Sequence, residues 1–398
     1  MTNDVAIRWR RGLSAGLATL LVLALCAGRA HAQGEDALVT GAQQDVDYLV
    51  GLIGNPAQAF DPAKVQNLLT LVSRASDDVP DLELEKRGKA VGAYWQFTLK
   101  TPVAKIGDYV YNPDIPPQAM LPGAVRLGGW RPESLPQART TLGDVWSRLP
   151  GLPEPVVFRG VEHEETTPDP TSGVYYTYDM RRLLVLFNDK GRDVLLSVAK
   201  LKEPSAPGKK GAQVGQPRDW TFFYSGLEGN LLKGVSWADS HMYDSCSVFA
   251  FMQPKPGENF TKVGLFKWIY AGWSGLNMVE KRYIVDGCQR FASGLKEILE
   301  APNLPGAAAI VDRISLIARM SEPELRERVK PLAALIEQKA PTDDRLSRSE
   351  FSPIIKDGGY VNILTPQEMQ SELVKDYMRG ALRNKSILQD AQDKVAQK

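Results

Sequence analysis

KRYIVDGCQRFASGLKEIL, residues 281–299, is the stretch on which the fold turns. Ile284, Val285, Cys288, Phe291, Ala292, Leu295, Ile298 and Leu299 recur three and four residues apart and make one apolar stripe, while Lys281, Arg282, Gln289, Arg290, Lys296 and Glu297 fall mostly off it. This spacing predicts an amphipathic helix of about five turns, whose greasy face needs an apolar surface of similar length to lie on. The preceding hundred residues can supply one. Val156–His163, Val174–Tyr178, Leu183–Phe187, Val194–Leu201, Trp220–Tyr224, Met242–Met252 and Val263–Tyr270 read as short strands, and Asn188-Asp189-Lys190-Gly191 places glycine where a hairpin needs a left-handed residue. Strands that follow one another through tight turns, with no helices between them, pair antiparallel.

Further upstream, Val91, Ala93, Trp95, Phe97 and Leu99 alternate with more polar neighbours as one more strand. A helical turn at Val103–Val110 runs into Pro113, Pro116, Pro117 and Pro122, which forbid continuous helix, and a strand at Ala124–Gly128 and a helix near Thr141–Leu149 follow. Two helices open the mature chain. Val46, Leu49, Val50 and Ile53 mark the first, and Asp61 caps the second with Pro62 at its first position. Beyond Asn303-Leu304-Pro305-Gly306 the chain is helical: one helix at Ala307–Met320, one capped by Ser321 with Glu324 that Pro331 should kink or divide, and a last one capped by Thr365 and Glu368. The expected division is an N-terminal helical segment at 33–78, an antiparallel β domain with its long helix at 79–303, and a C-terminal helical module at 304–398. The fold class is α+β, with the sheet wrapped on the long helix.

Residues 1–32 carry Arg8, Arg10 and Arg11, an apolar run from Leu13 to Ala27 and the small residues of Ala30-His31-Ala32, the pattern of a signal peptide. Export is therefore expected, with the periplasm as destination. The 48 Lys and Arg against 47 Asp and Glu leave no basic face of the kind that nucleic-acid binding needs, and no second apolar run is long enough to span a membrane.

Motifs specific for a chemistry are missing. His163 and Glu165 fall on one face of a strand and could hold a metal, but Glu162-His163-Glu164-Glu165 is better explained as a solvated strand end, so no metal, cofactor or catalytic residue is assigned. Gly234-Val235-Ser236-Trp237-Ala238 only superficially resembles a nucleophile elbow, with His241 crowded five residues after Ser236; a serine hydrolase is the remotest alternative. Cys246 and Cys288 form an even pair in an exported chain, and a disulfide between them would staple sheet to helix. Aromatic density points elsewhere. Fifteen aromatic residues lie between Trp220 and Phe291, so the largest side chains gather around the later strands and the helix. They can fill a core or line a ligand pocket. For the pocket, Trp95, Phe97, Tyr176, Tyr178, Trp237, Tyr243 and Trp268 are the candidate lining residues.

The order strand, short helices through a proline-rich turn, run of antiparallel strands and long helix, over residues 90–301, is similar to the helix-grip fold of START-like lipid-transfer domains and their polyketide-cyclase relatives. Thr101-Pro102-Val103 with Ile106, Tyr109, Val110 and the Asn112-Pro113-Asp114 turn resembles the exit of that fold's first strand and its short helix, and Trp273-Ser274-Gly275 resembles the region before its last helix. The helical parts at either end have no counterpart there. The resemblance implies a curved sheet gripping the helix around an elongated cavity for a lipid or another apolar molecule, and does not imply catalysis. The alternative is a structural or interaction protein that docks a partner through its C-terminal helices.

Overall fold

The computed structural model describes residues 37–388 except 81, 150 and 384, so the leader expected at 1–32 lies outside the described residues. Helix α1 covers 37–54, and a 3-10 turn at Pro62–Val65 leads into α2 (Gln66–Ser73). Asp61 caps that turn as its sequence predicts, its Oδ1 accepting from the Ala63 amide at 2.9 Å. Then come β1 (Val91–Leu99), α3 (Val103–Val110), α4 (Pro117–Met120), β2 (Val125–Trp130), α5 (Leu135–Leu142) and α6 (Val145–Arg148). The strand-rich region holds β3 (Val156–Thr166), β4 (Val174–Tyr175), β5 (Thr177–Asp189), β6 (Arg192–Leu201), β7 (Lys209–Gln213), β8 (Phe222–Glu228), β9 (Ser240–Met252) and β10 (Thr261–Trp273). Helix α7 is Lys281–Leu299, the stretch chosen from its stripe, and α8 (Ala307–Ala318), α9 (Glu322–Lys339), α10 (Ser352–Ile355), α11 (Tyr360–Ile363) and α12 (Pro366–Arg383) complete the chain.

The class is α+β, built on a seven-stranded antiparallel sheet of order β1-β10-β9-β6-β5-β3-β2. A second, three-stranded sheet, β4-β7-β8, was not foreseen, because the run read as one strand at Val174–Tyr178 divides: Val174–Tyr175 pairs with β7, and the chain re-enters the large sheet at Thr177. Alternation sorts the strand residues onto two faces. Ala93, Phe97, Leu265, Phe249, Phe251, Leu184, Leu186 and Phe158 face α7 and the short helices α3 to α6. Tyr94, Phe266, Trp268, Val248, Ala250 and Val185 face the opposite way and are covered by α1 and α2. Both faces of the sheet are therefore buried, and α7 lies over β1 and β10 at one side rather than along the middle.

The C-terminal helices share the core of the α7 face: Ile310, Ile317, Val329, Ile336, Tyr360 and Met378 are continuous with Leu295 and Phe251. No break in packing marks the boundary drawn at 303. The Tyr109 hydroxyl donates to the Pro305 carbonyl at 3.0 Å, tying α3 to the chain just past it. Pro331 neither kinks nor divides α9, which runs unbroken because Leu325, Val329, Leu332 and Ile336 are all buried on one side. That burial outweighs the ~3 kcal/mol an internal proline costs. Of the two capping boxes expected, the one at Thr365 forms, with the Thr365 amide donating to Glu368 Oε2 at 2.7 Å; Ser321 makes no side-chain cap.

The expected disulfide is corrected. Cys246 and Cys288 are both free and buried, and the reason is parity: Cys246 lies among the residues facing α1 and α2, whereas Cys288 points from α7 onto the other face. A whole sheet stands between them. Protein purified without reductant, then denatured and alkylated, should carry label on both cysteines in a peptide map; a peptide pair linked through Cys246 and Cys288 would contradict this arrangement.

Candidate ligand-binding cleft

On the face that looks toward α7, strand register sets Ala93, Lys267, Ser247, Ala199, Arg182 and Gly160 side by side on β1, β10, β9, β6, β5 and β3. All but two of these are Ala, Ser or Gly, so the middle row of the face is shallow. The row on one side holds Trp95, Leu265, Phe249, Ser197, Leu184 and Phe158, which build the apolar core with α3 and α7. On the other side, Tyr178, Met180, Ala199, Leu201, Met242 and Ala271 form a separate apolar cluster closed by Val279 at the approach to α7. The two greasy clusters meet through Ile269 and Val279 and border a band of small and charged side chains.

Three polar contacts define the band. Arg182 donates to Glu162 Oε2 through Nε at 2.8 Å and Nη2 at 2.5 Å, and through Nη1 to Ser197 Oγ at 3.1 Å. The Tyr178 hydroxyl donates to Glu164 Oε1 at 2.6 Å. Lys267 Nζ donates to Ser245 Oγ at 2.9 Å, and among the described residues no carboxylate comes within salt-bridge reach of it. Burial holds the Lys267 ammonium below its ordinary 10.5, opposed chiefly by Glu164. Burial, with Glu164 next to it, raises Tyr178 well above 10. Cys288 reaches toward the same space from α7; burial pushes its thiol up to about 12 against the pull of Lys267. Lys267, Arg182, Glu164, Trp95 and Ile269 are each only partly buried. The indole Nε1 of Trp95 is buried there without a partner. A surface depression of about 470 Å³ lies elsewhere, at Gly215, Gln216 and 339–345, and a void of about 10 Å³ lies beside Ile317 and Leu373; neither touches this band.

No family model, curated protein or solved structure matches this chain.

The seven aromatic residues expected to line a pocket do not stay together. Trp95, Phe97 and Tyr178 face α7, Phe97 deep in the core and the other two at the band. Tyr176 packs at the end of the face, its hydroxyl 3.2 Å from Ser240 Oγ. Trp268 is on the opposite face, under the Arg87 guanidinium at 4.3 Å and donating to the Glu85 carbonyl. Tyr243 stacks on Tyr270 at 4.7 Å, and its oxygen accepts from the Gly275 amide, so it braces the turn before α7. Trp237 is 78% exposed on a loop. At the same end of the sheet, Leu276, Met278 and Tyr283 are exposed too.

Neither catalytic alternative gains from the geometry. Ser236 lies in the turn before β9, its carbonyl accepting from the Asn230 amide, and His241 Nδ1 sits 3.0 Å from the Ser205 carbonyl. His163 turns away from Glu162 and Glu164 to meet Asp179 at 3.1 Å and Arg131 at 2.9 Å, while Glu165 pairs with Arg126. Reasoning from sequence missed Lys267, Arg182, Glu162 and Glu164. The signal for two of them was present: a lysine between Phe266 and Trp268, and an arginine just before the apolar run of β5.

The two cations of the band should respond differently to removal. Arg182→Met strands Glu162 and is expected to cost about 3 kcal/mol in urea denaturation. Lys267→Met leaves no acid unpaired and should fall within about 1 kcal/mol of wild type or above it. Because the folded-state ammonium titrates below 10.5, the unfolded chain binds the extra proton in the window between the two values, and wild-type stability gains with rising pH there. Any advantage of Lys267→Met should therefore shrink from neutral pH toward 10.5; an advantage that grows would contradict the assignment.

Proposed function

We propose that the chain binds an elongated apolar small molecule in the cleft between α7 and the large sheet, without catalysis. The observation that carries this reading is the middle row of small side chains, Ala93, Ser247 and Ala199, flanked by apolar residues and crossed by a helix that lies chiefly over β1 and β10. A core built only for stability would fill that row with Leu, Ile or Val, since each buried methylene contributes ~0.8 kcal/mol. The pairing of β1 with β10 and the return of α7 across them support a helix-grip-like arrangement over 90–301. Exposed Trp237, Leu276, Met278 and Tyr283 give the same end of the sheet an apolar rim past which such a molecule can enter. With the leader expected at 1–32, the setting proposed is the periplasm.

Titration with a long-chain acyl ligand should change tryptophan fluorescence through Trp95. The change should vanish in Trp95→Phe and persist in Trp268→Phe, whose indole is on the other face. Ala199→Leu, which fills the middle row, should weaken binding by more than about tenfold while circular dichroism stays native. Unchanged affinity in Ala199→Leu would move the site elsewhere, and failure of every acyl ligand to bind would end the proposal.

A further inference from the structure

Resting on that reading, we infer that the ligand carries a single negative charge, a carboxylate at the head of an apolar chain, and that Lys267 with Ser245 receives it. The cleft contains two cations and two acids, and they are not equivalent. Glu162 is engaged twice by Arg182, so that pair is self-contained. Glu164 is taken by the Tyr178 hydroxyl on the neighbouring strand. Among the described residues Lys267 has only the Ser245 hydroxyl as a hydrogen-bond partner, and Ser247 stands beside it in the register. An ammonium enclosed by protein and left without a contacting carboxylate is a poor stabilising device, because the desolvation of such an ion costs several kcal/mol. A carboxylate entering the cleft would form a charge-assisted hydrogen bond with Nζ. Ser247, Ala199 and Ala93 present only short side chains in the row of Lys267, and apolar residues flank that row on both sides. Both halves of an amphipathic acid thus meet matching chemistry. The band's two acids already offset its two cations, so a monoanion is admitted more readily than a dianion, which favours a carboxylate over a phosphate.

The test compares palmitic acid with hexadecanol and methyl palmitate, three probes with the same chain and different heads, on the full-length protein. Wild type should prefer the acid over both neutral probes by about tenfold or more. Lys267→Met should abolish that preference by weakening the acid alone, and Lys267→Arg should keep most of it. Equal binding of all three probes to wild type overturns the head-group assignment and leaves the cleft standing. So does an acid preference that survives in Lys267→Met. If no probe binds wild type, the cleft reading falls and this inference falls with it.

Discussion

The antiparallel pairing of β1 with β10 holds the rest of this molecule in place. Val91 through Leu99 pair in unbroken register with Ile269 through Thr261, joining the first strand of the large sheet to its last across about half the described chain. Because β10 leads directly into α7, that pairing forces the helix to turn back over β1. The turn uses Ser274 and Gly275 at positive φ, and Gly272 could not carry a side chain, since a Cβ there would lie 2.2 Å from the Leu276 carbonyl oxygen. At the far end, the Leu299 carbonyl accepts from Lys105, and Glu300 accepts from the Lys100 amide at 2.8 Å, fastening the helix to the exit of β1. Closing so long a loop is entropically expensive and slow, so the contact must be repaid by the apolar face it completes.

Where α7 lies decides what the opposite strands can do. The helix lies chiefly over β1 and β10, with Phe291 reaching Phe249 on β9, and beyond them the row continues as small side chains on β9 and β6. The charged band sits there. Its logic differs from that of the other enclosed charges in the molecule. Along α12, Glu372, Lys375, Asp376 and Arg379 are almost fully buried, yet Lys375 pairs with Glu372 and Arg379 with Asp376. Arg126 is held between Glu165 and Glu368, with its guanidinium 3.9 Å from the Tyr224 ring centroid. Such pairs add little net stability over apolar replacements but are costly to break singly, and the Arg126–Glu368 pair ties the last helix to β2 of the large sheet. Among the described residues Lys267 has no such carboxylate partner and donates to the Ser245 hydroxyl instead.

The helical elements were the most legible part of the sequence. The stripe from Ile284 to Leu299, the Asp61 cap and the Thr365–Glu368 box all depend on residues within a few positions of one another, and local spacing is visible in a linear string. Strand periodicity was legible too, though the second sheet was not, since nothing local shows that the chain leaves one sheet between Tyr175 and Thr177. Of the aromatic rings expected to line a pocket, Trp95 and Tyr178 lie on the face toward α7, Trp268 lies on the opposite face and Tyr243 braces the turn before α7. Alternation says that neighbours point apart without saying which of them points inward.

The sequence by itself determined the amphipathic helix, the alternating strands, the antiparallel class and most of the caps, because these follow from short-range periodicity and backbone chemistry. Only the tertiary structure decided that Cys246 and Cys288 stand on opposite sides of a sheet, that Pro331 is carried inside a helix, and that Lys267, Ser247, Ala199 and Arg182 share one row. Each of these rests on register between strands, or on packing between elements, far apart in the chain. A shift of a single residue in that register would have turned every one of those side chains to the other face.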